Sequence, residues 1–285
     1  MWQPLLIFAG CVPIFVLLAA VFMERWQRKR RGERPPLSEK LLRPAGYSLQ
    51  CKIDDLNDGL HSWFFGTFLC SLFAVGGVPF VPLDYTGRII YLTIFGLSAA
   101  GCAVMAWRKL LKIRNHRRGL LGEQAVAEEL QRLPAGYRVF HDVPGNGKWN
   151  IDHVVVGPAG VFAIETKYRT KQPGKPSERD NEAVFDGNKI QFSSGKYDAA
   201  APEQARQNAR WLATMLTKAT GERVTAQPIV ALPGWWVTLK ANSDVKVLSG
   251  KQVSSFISTE PTVLSAKVIQ QISYQLEQRC RDVEF

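Results

Sequence analysis

NIDHVVVGPAGVFAIETKY, residues 150–168, is the stretch whose reading decides the fold. Val154, Val155 and Val156 run into Gly157-Pro158-Ala159-Gly160, and Val161, Phe162, Ala163 and Ile164 run out of it. β-Branched and aromatic residues bounded by Gly and Pro predict strand, tight turn, strand. A four-residue turn over 157–160 ends on Gly, which takes the left-handed conformation at little steric cost. Val156 then faces Val161, and every opposed pair of residue numbers adds to the same value. By that register Asp152 lies opposite Glu165, with β-carbons roughly 4.5–5.5 Å apart. Lys167 follows two residues later, on the same face. A three-residue turn would separate the carboxylates onto opposite faces.

Like charges facing each other destabilise a sheet unless something bridges them. Oxygen donors in surroundings poor in His and Cys suit magnesium or manganese rather than zinc. The bland alternative is a surface hairpin on which Glu165 and Lys167 are merely solvated.

The 285-residue chain carries a formal charge of +11. Such a balance suits an acidic partner, nucleic acid or an anionic membrane surface. Its five cysteines show no Cys-x-x-Cys spacing, which argues against a disulfide framework and a Cys-based zinc site.

Hydropathy divides the chain. Residues 2–23 hold no charge and are long enough to cross a bilayer core of about 30 Å. Six basic residues follow within 24–34, the wrong order for a secretory signal peptide. Residues 35–62 read as a polar connector. Two further apolar runs, about 63–83 and 89–107, form a hairpin, and RKLLKIRNHRR at 108–118 again carries six basic residues. The two basic blocks fall on one side of three spans. This predicts a multi-pass anchor in the bilayer, the inner (plasma) membrane of a bacterium, with N-terminus out and C-terminal domain in the cytoplasm. The alternative is that 63–107 is the buried helical hairpin of a soluble domain. The domains expected are thus 1–118, the anchor, and 119–285, a soluble unit.

Within 119–285, GLLGEQAVAEELQRL predicts a helix ending near Pro134. Glu123 falls on its apolar stripe with Leu120, Ala127 and Leu130. A carboxylate there needs a partner, either a cation or a shared metal. A strand over 137–143, the hairpin, a second hairpin over 183–192, a helix from Pro202 to about Lys218, strands near 224–232, 235–239 and 245–248, and a closing helix over 263–281 make a mixed α/β domain. Gln204, Asn208 and Trp211 share one face of the 202–218 helix. The basic loop 169–200 is what phosphate handling would need, or an ordinary solvated excursion.

GLLGEQAVAEEL, NIDHVVVGPAGVFAIETKY and PEQARQNA together resemble the nuclease-related domain, NERD, over Gly119 to about Trp211. That family is similar to restriction-endonuclease-like enzymes of the PD-(D/E)xK type. The resemblance implies a mixed central sheet flanked by helices and a magnesium-dependent phosphodiesterase site acting on nucleic acid, DNA foremost. It implies that Asp152 and Glu165 are the metal-binding acidic pair, Lys167 the motif lysine, Glu123 the acidic residue of the first helix, and Gln204 the glutamine of the following helix. Asn150-Ile151 stands where many restriction enzymes have Pro-Asp. The rival expectation is a non-catalytic, membrane-tethered module that binds nucleic acid or a protein.

Overall fold

A computed structural model describes residue 23 and residues 40–78, 82, 84–147, 149–171 and 181–283. The expected first span at 2–23, the basic block after it, and Lys175 and Arg179 of the basic loop lie outside these residues, apart from Met23. The chain forms two compact units, one from Asp54–Ile113 and one from Lys40–Ile53 together with Arg114 onward.

The elements follow in order. β1 (Leu41–Leu42) leads to α1 (Tyr47–Gly76) and α2 (Tyr85–Leu130). Then come β2 (Arg138–Pro144), β3 (Asn150–Gly157), β4 (Gly160–Thr166), β5 (Glu182–Phe185), β6 (Ile190–Phe192) and β7 (Tyr197–Asp198). α3 (Ala200–Thr220), β8 (Ala226–Leu232), β9 (Trp236–Leu239), β10 (Lys246–Ser249), α4 (Gly250–Thr259), α5 (Ala266–Cys280) and β11 (Arg281–Val283) complete the chain.

Two corrections concern the first half. Residues 41–62 are not a connector: they hold a strand and the first turns of a 30-residue helix. The apolar run at 89–107 and the expected first helix of the soluble domain are one helix of 46 residues. No Gly or Pro stands between Ala103 and Arg118 to interrupt it. The expected boundary at 118/119 falls inside this helix.

α1 and α2 are long and apolar enough to cross a membrane, and little of their most apolar windows is buried. Phe64, Phe73, Ile89, Ile90, Ile94 and Leu97 are exposed on them. An outward apolar surface with all backbone bonds closed inside the helix suits a lipid solvent. It disfavours the soluble buried hairpin.

In the second unit a five-stranded mixed sheet runs β10-β8-β4-β3-β2, with β2-β3-β4 antiparallel and β4-β8-β10 parallel. A second sheet runs β7-β6-β5-β9. β4 is buried throughout because both faces of the main sheet are covered. Val154, Val156, Val161 and Ala163 pack with Leu212 and Leu216 of α3 and Ile272 and Leu276 of α5. Val155, Phe162 and Ile164 pack with Val126 and Leu130 of α2 and Val253 and Ile257 of α4.

The turn at 157–160 holds the expected register. Gly157 pairs with Gly160, Val156 with Val161, and the ladder continues to His153 opposite Ile164. Gly160 has φ +125°, a conformation that side-chain-bearing residues rarely adopt.

Candidate functional site

The ladder between β3 and β4 stops one pair short of Asp152 and Glu165. There the Asp152 carboxylate takes over the backbone's role: its Oδ2 accepts the Thr166 N–H at 2.7 Å. Asp152 is therefore held at the end of the hairpin, buried, next to Glu165, which is 3% exposed. Lys167 lies just past β4, its N–H donating to the Ala231 carbonyl of the neighbouring β8 at 2.9 Å.

α3 covers this end of the sheet with residues one helical turn apart. Lys167 Nζ donates to Glu165 Oε1 at 2.6 Å and to Gln204 Oε1 at 3.1 Å. Asn208 Nδ2 donates to Glu165 Oε2 at 3.0 Å. Both oxygens of Glu165 thus have donors, and the lysine is held between β4 and α3. Asn208 is a site residue that sequence reasoning placed only on the right helix face. Its i, i+4 spacing from Gln204 was the available signal.

Glu123 comes from α2. That helix approaches the chain after β4 closely at Gly122, where an added β-carbon would stand 2.8 Å from Tyr168 Cβ. Glu123 is 6% exposed and its Oε2 has no hydrogen-bond partner. Burial, then the charges of Asp142 and Glu165, push its carboxyl up to about 8, against the pull of Lys52 and Lys167. Burial likewise drives Asp152 well above the carboxylate range, with Glu165 and Glu123 adding to it. Glu165 is raised by burial even though Lys167 and Asn208 oppose that effect. Burial works against the Lys167 charge, but Glu165, Asp152 and Asp198 outweigh it and hold its pKa above the ordinary lysine value.

The expected site residues therefore come together: Glu123, Asp152, Glu165 and Lys167 interact electrostatically, and Gln204 holds the lysine. Three desolvated carboxyls, one with an orphaned oxygen, are of the donor type that a hard divalent cation takes. Among the described residues no group of three His, Cys, Asp or Glu side chains is placed to hold a metal ion.

A second buried carboxylate lies nearby in the same unit. Asp142 has φ 50° and interrupts the β2–β3 ladder between His141↔His153 and Val143↔Ile151. Its Oδ2 accepts from Arg43 Nη1 at 2.9 Å and Ser48 Oγ at 2.6 Å, and its Oδ1 from Asn150 Nδ2 at 2.6 Å. Arg43 also clasps Asp282 of β11. His141 and His153 meet Nδ1 to Nδ1 at 2.8 Å, and burial lowers the pKa of both.

Part of the expected basic loop is already paired. Arg169 binds Asp198; beyond the loop, on α3, Arg206 reaches Asp244, Glu203 and the Gly187 carbonyl. A pocket of about 490 Å³ lined by Arg138, Thr220, Gln271 and Tyr274 includes none of the site residues.

Residues 118–233 match the family model of the nuclease-related domain, NERD. The match takes in the hairpin, Glu123, Lys167, Gln204 and Asn208. No curated protein and no solved structure matches the chain.

Proposed function

We propose that this chain is a membrane-anchored, magnesium-dependent nuclease of the PD-(D/E)xK type that hydrolyses nucleic-acid phosphodiester bonds. One observation carries the proposal: desolvated Glu123, Asp152 and Glu165 meet beside Lys167 with a carboxylate oxygen of Glu123 unsatisfied. The nuclease-related match over the same residues supports it.

Glu123, Asp152 and Glu165 would hold magnesium or manganese. When bound, the ion supplies polarisation of a phosphoryl oxygen and a more acidic water. Lys167 has its pKa raised by its carboxylate neighbours, so it stays an ammonium at neutral pH. Its role is then to orient the water and to stabilise negative charge developing on the phosphate, rather than to take a proton. Gln204 keeps the ammonium aimed, and Asn208 fixes the rotamer of Glu165. The anchor is read as three spans with the catalytic domain in the cytoplasm: two bilayer-length helices support two of them, and the third rests on the uncharged run at 2–23 and the matching basic blocks at 24–34 and 108–118 in the sequence.

The test is cleavage of plasmid and of single-stranded DNA by the full chain in nanodiscs, with magnesium or with EDTA, beside Asp152→Ala and Lys167→Ala. Metal-dependent cutting lost in both variants is expected. Equal activity in all three proteins would sink the assignment. One observation favours the rival, a non-catalytic nucleic-acid or protein binding module: Glu165 has both oxygens taken by Lys167 and Asn208. That reading expects nucleic-acid or protein binding without turnover.

A further inference from the structure

Two residues beyond Lys167 the chain borders a second, smaller pocket, of about 180 Å³, whose lining includes Arg169, Phe192, Lys196, Tyr197 and Trp235. We propose that this pocket receives one unpaired nucleobase, so that the strand presented to the neighbouring carboxylates is single-stranded or locally unpaired. The inference rests on the nuclease reading of that site and names its substrate class.

Size limits the occupant. The pocket is smaller than the roughly 300–1,000 Å³ of sites for drug-sized ligands. It suits a single ring system rather than a base pair. Phe192, Tyr197 and Trp235 make the aromatic part of its wall, and Arg169, Thr170, Ser194 and Lys196 the polar part. Phe192 and Trp235 meet edge to face with centroids 4.8 Å apart, and Trp235 is buried, its Nε1–H donating to the Arg169 carbonyl at 3.1 Å. Tyr197 is 57% exposed, which leaves ring surface open to a stacked base. Every base has a π-face, so an aromatic wall binds single strands with little regard to sequence. A base inside a duplex has both faces covered and cannot enter.

Charge surrounds the aromatics. Lys189 Nζ stands 4.6 Å from the centre of the Tyr197 ring, and Lys196 lines the pocket, as does Arg169 with its charge paired to Asp198. Cations beside a stacking platform are how proteins hold the phosphates that flank a bound base. The pocket is also tied to the carboxylate site. Arg169 pairs with Asp198, which follows Tyr197 directly and whose charge acts on Lys167 and Glu165. A base held at Tyr197 would leave its strand beside that lysine.

The experiment measures binding to the full chain in nanodiscs of neutral lipid, with EDTA present so that no strand is cut. The probes are labelled oligo(dT), a duplex of equal length, and an abasic strand with the same number of phosphates. Oligo(dT) is expected to bind at least about tenfold more tightly than the duplex. Tyr197→Ala is expected to weaken oligo(dT) binding about tenfold, within the range for loss of one stacked base. Tyr197→Phe is expected to keep the affinity, and the abasic strand to be indifferent to either change. Lys196→Gln is expected to weaken base-bearing and abasic strands alike. Equal binding of duplex and single strand, an unchanged oligo(dT) affinity in Tyr197→Ala, or an equal loss on the abasic strand overturns the pocket. If cleavage dependent on Asp152 persists in that case, the nuclease reading stands without it. Base-dependent binding with no metal-dependent cleavage overturns the nuclease reading and leaves the pocket.

Discussion

Two buried carboxylate sites stand in one domain, and they are built in opposite ways. Asp142 is fully buried and meets three donors, from Arg43, Ser48 and Asn150. Glu123 is almost as buried, faces other carboxylates, and has an oxygen with no donor at all. A buried charge that is paired and hydrogen-bonded is tolerated; one that is not must hold a proton or find a cation. The contrast separates a carboxylate satisfied by donors within the fold from one left with an unpaired oxygen among other carboxylates.

The strongest way to break this contrast is to remove charge from each site and compare activity with stability. Asp152→Asn is expected to lower the cleavage rate at least about a thousandfold, since on the proposed reading it would remove a metal ligand, while the melting temperature holds or rises. A large drop in melting temperature would make Asp152 a structural residue like Asp142.

pH offers the next largest effect. The Glu123 carboxyl is raised from its ordinary 4.5 to about 8, so the folded state binds this proton more tightly than the unfolded state. Its contribution is complete below about pH 4.5 and is lost as pH rises through about 8. The size is on the order of a few kcal/mol. Asp152 and Glu165 shift in the same direction. Thermal melts without metal are expected to fall over this window, and Glu123→Gln to flatten the fall. Magnesium is expected to raise the melting temperature more at pH 8 than at pH 5, because it replaces the proton. A magnesium effect independent of pH would contradict the shared site.

Asp142→Ala is expected to cost about 3 kcal/mol in denaturant unfolding, since the Arg43 charge loses one of its two carboxylate partners. Its effect on the cleavage rate should be small once the fraction folded is allowed for. The smallest effect expected is that of Asn208→Ala, about tenfold in rate with little change in melting temperature. The loss should appear in kcat rather than KM if Asn208 only holds the Glu165 rotamer.

The hairpin was legible in sequence because period-two patterning and a Gly-bounded turn fix a register with no long-range information. That register put Asp152 opposite Glu165 and carried Lys167 with them. Glu123 was legible as a carboxylate on an apolar stripe, though not which of its two explanations applies. Arg43, Ser48 and Asn150 around Asp142 were not legible. Their contacts join residues about 100 positions apart, or depend on a positive φ at Asp142 that no local pattern announces. The 46-residue α2 was split into two pieces because hydropathy changes at Trp107. A helix ends at a breaker or a cap, not at a change of polarity.

The clasp of Arg43 and Ser48 on Asp142 also alters where this protein can be cut. Residues 40–53 complete the domain that resumes at Arg114. The two segments run side by side: a β-carbon at Gly119 would stand 3.1 Å from Leu49, and one at Gly46 would meet Leu120. In chain topology the apolar hairpin is therefore an insertion between two neighbouring points of the domain rather than a tail before it. A truncation starting at Gly119 would strip Asp142 of two of its three donors and remove β1, which pairs antiparallel with β11. Removing residues 1–39 together with 54–113, and closing the second gap with a short Gly/Ser linker, would keep both and is the direct route to a water-soluble form.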